Sequence, residues 1–316
     1  MGWTSTDLLA RIRLNARLSY AHPDYTDAVL MDKADGILAA RFIPTILAVK
    51  EDYYARYIDR ALVANRQGYT FPARAYGVTL REVEYVGATA DDTYRLRQGD
   101  YADRLAYAGE TGSKPELYVV EDDRVLLLPT PSVAVGSIRM CYEYRPGLLV
   151  ATTAVCTITG ITNIATGVLD CVPVSGWTTD NRFDIVKNVP PYALVDLDLV
   201  ASTVGGASIT FSSTLDASRI EVNDIISLGG YTKYPGIPVE LHPALALAVS
   251  AEVLEELGDT ESALIKEQKV ASALQAFSDR IGRRVKEPVK KIVNKSSILR
   301  GRIFGAGSTG LDDGLP

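Results

Sequence analysis

The sequence predicts an α+β protein in which N- and C-terminal helices form a helical body around a long inserted β-rich region, a sandwich or small barrel. Three observations predict this class. The first fifty residues have helical periodicity, short strand-like runs fill the middle of the chain, and helical periodicity returns after Pro238. We assign the helical body to 1–50 and 236–283, the β-rich insertion to 51–235 (in one part or in two, 51–150 and 151–235), and an extended basic C-terminal tail to 284–316.

The composition is that of an ordinary soluble globular protein. Of the 316 residues, 47% are hydrophobic and 23% are charged, close to the averages for soluble domains. No stretch approaches the roughly 20 apolar residues that a membrane-spanning helix needs. The N-terminal "MGWTSTDLLARIRLN" lacks the apolar segment of a secretory signal. We therefore expect a protein made in the cytoplasm, without a membrane partner.

Three cysteines, Cys141, Cys156 and Cys171, are too few and too widely spaced for a disulfide framework or a zinc site. A free cysteine in apolar surroundings behaves as a small hydrophobic residue. We expect structural thiols, and we expect neither a metal nor a cofactor.

Two helices are expected in the first fifty residues. "STDLLARIRLNARL" (5–18) opens with capping residue types and then places Leu8, Leu9 and Ile12 at helical spacing. Thr26 is placed to cap a second helix. Pro44 should end or kink that helix, because proline has no backbone N–H to donate.

The first part of the insertion contains several predicted strands. The stretch 53–75 has the composition of two paired strands joined by a turn at "NRQG". "VTLREVEYV" (78–86) alternates apolar and charged residues, as a half-buried strand does. Residues 87–115 are polar and irregular, which predicts a long surface loop.

The strongest β pattern follows. Asp122 and Asp123 separate two apolar runs, which predicts a hairpin, and "SIRMCYEYRP" (137–146) is expected to be its partner strand. From 151 to 235, short apolar runs alternate with Gly, Asn and Thr. This spacing is typical of a sandwich or a small barrel.

A helical hairpin is expected after the insertion. Pro243 suits a first helical turn, Gly258 is placed to end that helix, and a second helix follows it. We interpret Pro238, Glu240, His242 and Pro243 as a structural hinge that returns the chain from the insertion to the helical body. The apolar residues expected to face the core are Leu245, Val249, Val253, Leu254, Leu257, Leu264, Val270, Leu274, Phe277 and Ile281.

Reactive motifs are scarce. His22 and His242 are the two imidazoles, and each precedes a proline, a context typical of chain turns. The sequence has no G-x-S-x-G, P-loop, H-E-x-x-H or EF-hand pattern. "GAGSTG" (305–310) matches the glycine spacing of a dinucleotide loop but lacks the strand and helix that such a loop joins. We therefore assign no catalytic, cofactor-binding or metal-binding residue and expect a protein that is not an enzyme.

The charge is distributed asymmetrically. Residues 280–302 hold nine Lys and Arg against one acid, Glu287, whereas residues 1–279 hold 24 bases against 36 acids. A basic tail on an acidic body predicts either docking on an acidic partner or a solubilising end. The segment 280–302 contains none of the aromatic residues that nucleic-acid-binding surfaces combine with basic ones, so the pattern does not favour DNA binding.

Three stretches resemble the head-to-tail adaptor (connector) proteins of short-tailed bacteriophages. They are "DYYARYIDRALVANRQGYTFPARAYGVTLREVEYV" (52–86), "VNDIISLGGYTKYPGIPVELHPALALAVSAEVLEELGD" (222–259) and "KKIVNKSSILRG" (290–301). The order of helices, β-rich insertion, helical hairpin and tail is also similar to that family.

The resemblance implies a virion structural protein of the neck and tail, assembled in the host cytoplasm. Such adaptors form a ring, usually a dodecamer, that contacts the portal protein, the tail nozzle and the tail fibres. The ring continues the channel through which DNA passes without specific binding. In that family the C-terminal segment embeds in the portal. The portal-docking residues expected here are Arg283, Arg284, Lys286, Lys290, Lys291, Arg300 and Arg302 for charge, with Ile298, Leu299, Ile303 and Phe304 as apolar anchors.

Other functions remain open from the sequence. A tail nozzle or fibre-anchoring protein is one, although the terminal helices argue against a nozzle. A non-enzymatic β binding module is another, for which Trp3 and Trp177 would supply the largest aromatic surfaces. An enzyme comes last.

Overall fold

The computed structural model describes residues 2–89, 92–213, 215–216 and 218–282. Helices from the two ends of this part of the chain pack together, and a long central insertion of several sheets lies between them in sequence. The predicted α+β class is therefore confirmed.

The described residues form six α-helices. The second and third helices are joined by a π-helical turn, Leu38–Phe42, and single 3₁₀ turns precede the first strand (Glu51–Tyr54) and the fifth helix (Val239–Leu241). The α-helices are α1 (Ser5–Ala16), α2 (Asp27–Ile37), α3 (Ile43–Val49), α4 (Tyr101–Ala106), α5 (His242–Glu256) and α6 (Thr260–Gly282).

The helical body is built around α5. This helix packs against α1, α2 and α6, and α3 packs against α6, so the core joins residues from both ends of the described chain. α5 presents alanine at four buried positions, and small side chains let neighbouring helices approach closely. An amphipathic face buried in this way stabilises each helix more than its intrinsic propensity does.

The predicted helix caps and the predicted end of α5 are present in the structure. Thr4 and Thr26 cap α1 and α2, each accepting a backbone N–H three residues ahead. Gly258 ends α5 with φ +85°, a conformation that glycine adopts without penalty. Asp259 then accepts the backbone N–H of Ser262 at 3.1 Å and caps α6.

The structure differs from three expectations about the helices. Pro44 does not end the second helix: the chain stays helical from Asp27 to Val49, and the hydrogen bonding changes to the π pattern just before the proline. Leu257 and Leu264 were expected in the core but are 48% and 61% exposed. Leu257 is the C-cap of α5, and Leu264 lies in the second turn of α6.

The first part of the insertion contains two four-stranded sheets whose facing side chains form one apolar core. The sheets have the orders β1-β10-β3-β4 and β2-β8-β7-β5, and β6 pairs with β9. The strands are β1 (Ala55–Ala61), β2 (Gly68–Thr70), β3 (Ala75–Val86), β4 (Thr93–Arg95), β5 (Arg97–Gln98), β6 (Thr111–Gly112), β7 (Leu117–Glu121), β8 (Arg124–Leu128), β9 (Thr130–Pro131) and β10 (Ser137–Tyr144).

The predicted hairpin at Asp122 is confirmed, since β7 and β8 are antiparallel and Asp122 has φ +51°. Other pairings differ from the expectation. β1 and β2 do not pair with each other: β1 pairs with β10, and β2 pairs with β8. β10 is not the partner of the hairpin either, because it lies between β1 and β3. The segment 87–115 is not one loop, since its described residues include β4, β5, α4 and β6.

The second part of the insertion is a small antiparallel barrel, with β11 and β19 as a separate parallel pair. Its seven strands have the order β12-β18-β15-β16-β17-β14-β13. The strands from this part are β11 (Leu148–Leu149), β12 (Cys156–Thr157), β13 (Gly160–Asn163), β14 (Val168–Asp170), β15 (Arg182–Val186), β16 (Leu194–Val204), β17 (Ser208–Phe211), β18 (Ile225–Leu228) and β19 (Tyr231–Thr232).

The barrel closes through the short segment between β12 and β13. The Ile158 backbone N–H donates to the Asp224 carbonyl beside β18, and that of Thr159 donates to the Asp170 carbonyl of β14, both at 2.8 Å. One stretch of chain therefore pairs with both edges of the sheet. Phe183 packs against Phe211 inside, with ring centroids 6.0 Å apart. Of the two expected forms, this region is the small barrel.

Cys141, Cys156 and Cys171 are all buried and free. Cys156 and Cys171 lie in the barrel core, and Cys141 is on β10. Their burial confirms the expectation of structural thiols.

Candidate functional site

The most distinctive site lies where the chain leaves the insertion and re-enters the helical body. Pro238 begins the 3₁₀ turn, and α5 starts at His242 with Pro243 in its first turn. Nearby, the buried Tyr54 donates its hydroxyl to the carbonyl of Gly236 at 2.7 Å. The two ends of the insertion are therefore held side by side.

His242 is 1% exposed and uses both ring nitrogens. Its Nδ1 accepts the backbone N–H of Trp3 at 3.1 Å, so the ring proton is on Nε2, which faces the carbonyl of Ile237 at 3.3 Å. Burial lowers the pKa of His242, because a charged imidazolium loses its hydration there. The ring is a neutral structural connector between the N-terminus and the start of α5.

Beside these residues lies an open groove of about 790 Å³, which we call the junction groove. Four parts of the chain form it: the turn before β1, the loop between β15 and β16, residues 238–241, and one face of α6. Its apolar wall consists of Tyr53, Pro190, Pro191, Pro238, Val239, Leu241, Ala273, Ala276 and Phe277.

The polar groups of the junction groove are few. Lys50, Glu240 and Arg280 are its three charged residues. The Lys50 ammonium lies over the Tyr53 ring at 5.8 Å, while Glu240 and Arg280 are exposed. An apolar wall with few charges suits a largely apolar ligand or chain segment better than a small polar substrate.

A buried ion pair fixes the first part of the insertion against the barrel. Arg74 contacts Asp184 at 2.7 Å, and the side chain of Asp184 is only 2% exposed. Asp184 also accepts the backbone N–H groups of Asp198 and Gly230, while Arg74 donates to the Arg145 carbonyl. A buried carboxylate with this many donors is fully compensated, so the contact orients the two parts.

A second group of charges holds the helices together. Lys33 on α2 reaches Glu252 and Glu256 on α5, both at 2.6 Å, and Tyr25 donates to Glu256 at 3.0 Å. Arg13, 3% exposed, donates from its two terminal nitrogens to the carbonyls of Ser19 and Tyr25 and to Asp27, while its buried Nε has no hydrogen-bond partner.

The structure brings the four predicted hinge residues together, and Pro238 and Glu240 also line the junction groove. The expected portal-docking residues, from Arg283 to Phe304, lie outside the described residues. The nearest described point is the end of α6, where Arg280 stands at the groove.

Sequence reasoning missed the junction groove and the Arg74–Asp184 pair. The adjacent prolines 190 and 191 were a visible signal of a rigid surface loop, but nothing in the sequence indicates which helix faces them. Asp35 was missed too. Its carboxylate accepts the Leu149 backbone N–H at 3.0 Å, and burial raises its pKa to about 7.

Among the described residues, no three His, Cys, Asp or Glu side chains are grouped so as to hold a metal ion. None of the helices in that part of the chain is long and apolar enough to cross a membrane.

Comparison with models of known protein families finds no match, and no curated protein matches the sequence either.

Proposed function

We propose that this chain is a virion structural protein, a head-to-tail adaptor that forms a ring between the portal and the tail nozzle or fibres. The proposal rests on the order of the structural elements along the chain. Helices from the two ends of the described chain form one body, a β insertion starts and ends at one point of that body, and a basic segment of the sequence begins near the end of the described part of α6. This order agrees with what the sequence resemblance implies.

The charge distribution supports the same function. A body with 24 bases against 36 acids repels phosphates, and a channel wall should let DNA pass without holding it. The basic segment, 280–302, begins in the last described turn of α6, a helix of 23 residues that spans about 34 Å at 1.5 Å per residue. The apolar and basic residues of this segment would bind the portal. Repetition of the contact around a ring would make a weak contact strong.

The binding-module alternative has less support. Trp177 packs edge-on against Phe183 with centroids 5.2 Å apart, and Trp3 is half-buried beside His242. Neither tryptophan is a free aromatic platform of the kind that carbohydrate or peptide surfaces use.

The test is mass photometry of the full chain, alone and mixed with the portal of the same phage. We expect a fixed, ring-like number of chains per portal. Truncation after Gly282 keeps α6 and should abolish the complex, and the full-length variant K290E/K291E should weaken it at least tenfold. Binding of truncated and full chains to the same extent would overturn the role of the tail, and no complex with either would overturn the adaptor function.

A further inference from the structure

The junction groove is an apolar surface that no described segment covers. Pro190, Pro191 and Ala276 on its walls are exposed, and Phe277 and Leu241 form the deeper part. A concave site lined mainly by apolar side chains often marks a contact with another segment or molecule.

The chain itself supplies a matching segment close by. α6 ends at Gly282, two residues beyond Arg280 at the groove edge, and 34 residues follow. Residues 298–304 read "ILRGRIF", with four large apolar side chains and two arginines. We propose that, in the free protein, residues 298–304 occupy the junction groove of their own subunit.

The length of the connection suits this contact. Fifteen residues lie between Gly282 and Ile298. A linker of that length has an unconstrained end-to-end distance of roughly 22 Å and a maximum of roughly 50 Å. A short tether of this kind gives an effective concentration in the millimolar range, so a contact with a millimolar dissociation constant is already about half formed.

The chemistry of the two surfaces agrees. Ile298, Leu299, Ile303 and Phe304 match the proline, alanine and aromatic wall. The exposed carboxylate of Glu240 offers a partner to Arg300 or Arg302 and offsets part of their repulsion from Lys50 and Arg280, the other two charges of the groove. A weak contact of this kind prevents these four apolar side chains from binding other chains until a partner with higher affinity displaces them from the groove. The self-contact needs no portal, so it is independent of the proposed function.

The experiment uses the full chain with Phe304 replaced by the photoreactive p-benzoylphenylalanine. After illumination, the monomer band should contain cross-links from position 304 to groove residues, chiefly in 238–241 and 273–280. Ala276→Arg fills the groove from an exposed helical position and should reduce these cross-links at least fivefold. Ala271→Arg, an equally exposed position on α6 that does not line the groove, should leave them unchanged.

Three outcomes overturn the inference: no cross-link to the groove, the same yield in both arginine variants, or groove cross-links found only in a dimer band. The last would assign the groove to a second copy. Portal binding is measured separately, and either result can fail while the other stands.

Discussion

Trp3 and His242 are 239 residues apart in sequence, yet the backbone N–H of Trp3 donates to Nδ1 of His242 at 3.1 Å. This hydrogen bond joins the N-terminus of the described chain to the first residue of α5, next to the point where the insertion ends.

His242→Ala should lower the melting temperature. The substitution leaves a cavity and removes the acceptor of the Trp3 N–H, a loss of roughly 2–3 kcal/mol of stability. The measurement is thermal unfolding by circular dichroism, with His22→Ala as the control, because His22 is only half-buried. If both variants melt at the wild-type temperature, His242 has no structural role at the hinge.

Tyr54→Phe should destabilise the protein by about 1 kcal/mol, because it removes the hydroxyl that donates to the Gly236 carbonyl. Urea unfolding of the variant and the wild type measures this difference. Tyr57→Phe removes a hydroxyl from a side chain that is 58% exposed and should change stability much less. Equal effects would show that the Tyr54 contact does not hold the ends of the insertion together.

Arg74→Ala should cost about 3–5 kcal/mol, since it leaves the Asp184 carboxylate buried without its cation. Arg139→Ala breaks an ion pair with Asp59 that is also close, at 2.8 Å, but more exposed, and should cost at most about 1 kcal/mol. Chemical denaturation of the two variants makes the comparison. A cost below 1 kcal/mol for Arg74→Ala would contradict a role in fixing the two parts of the insertion.

Asp35→Asn should become increasingly stabilising, relative to the wild type, as the pH rises from 5 to 8. The pKa of Asp35 is raised to about 7 in the folded protein, against about 3.9 in an unfolded chain. The folded state therefore binds more protons between these values, and the wild type loses stability as the pH rises through them. Asparagine keeps an acceptor for the Leu149 N–H without ionising.

Melting temperatures of the variant and the wild type at pH 5 and pH 8 test this prediction. Subtracting one melting temperature from the other at each pH cancels the contribution of the other titrating groups, His242 included. The exposed Asp180→Asn is the matched control. A difference that stays constant across this range would show that Asp35 does not ionise there.

Most of the features that could be predicted from the sequence are determined by residues close together in the chain. Thr26 as a helix cap, Asp122 in a hairpin turn and Gly258 as a helix stop each depend on a few neighbouring residues. The alternation of helical and strand-like periodicity was enough for the α+β class.

The missed features depend on contacts between distant segments. β1 pairs with β10 rather than with the nearby β2, and no local pattern distinguishes these partners. Arg74 and Asp184 are 110 residues apart, each surrounded in sequence by many other charges. The junction groove likewise exists only after four separate segments of the chain have come together.

Closure of the barrel limits how another chain can pair with its strands. Because the segment through Ile158 and Thr159 hydrogen-bonds to both sheet edges, the strands around it offer little unpaired backbone to another chain. Open edges are templates for aggregation and for adding foreign strands. Any contact that another chain makes at the barrel must therefore depend on side-chain complementarity, which mutation can adjust one residue at a time.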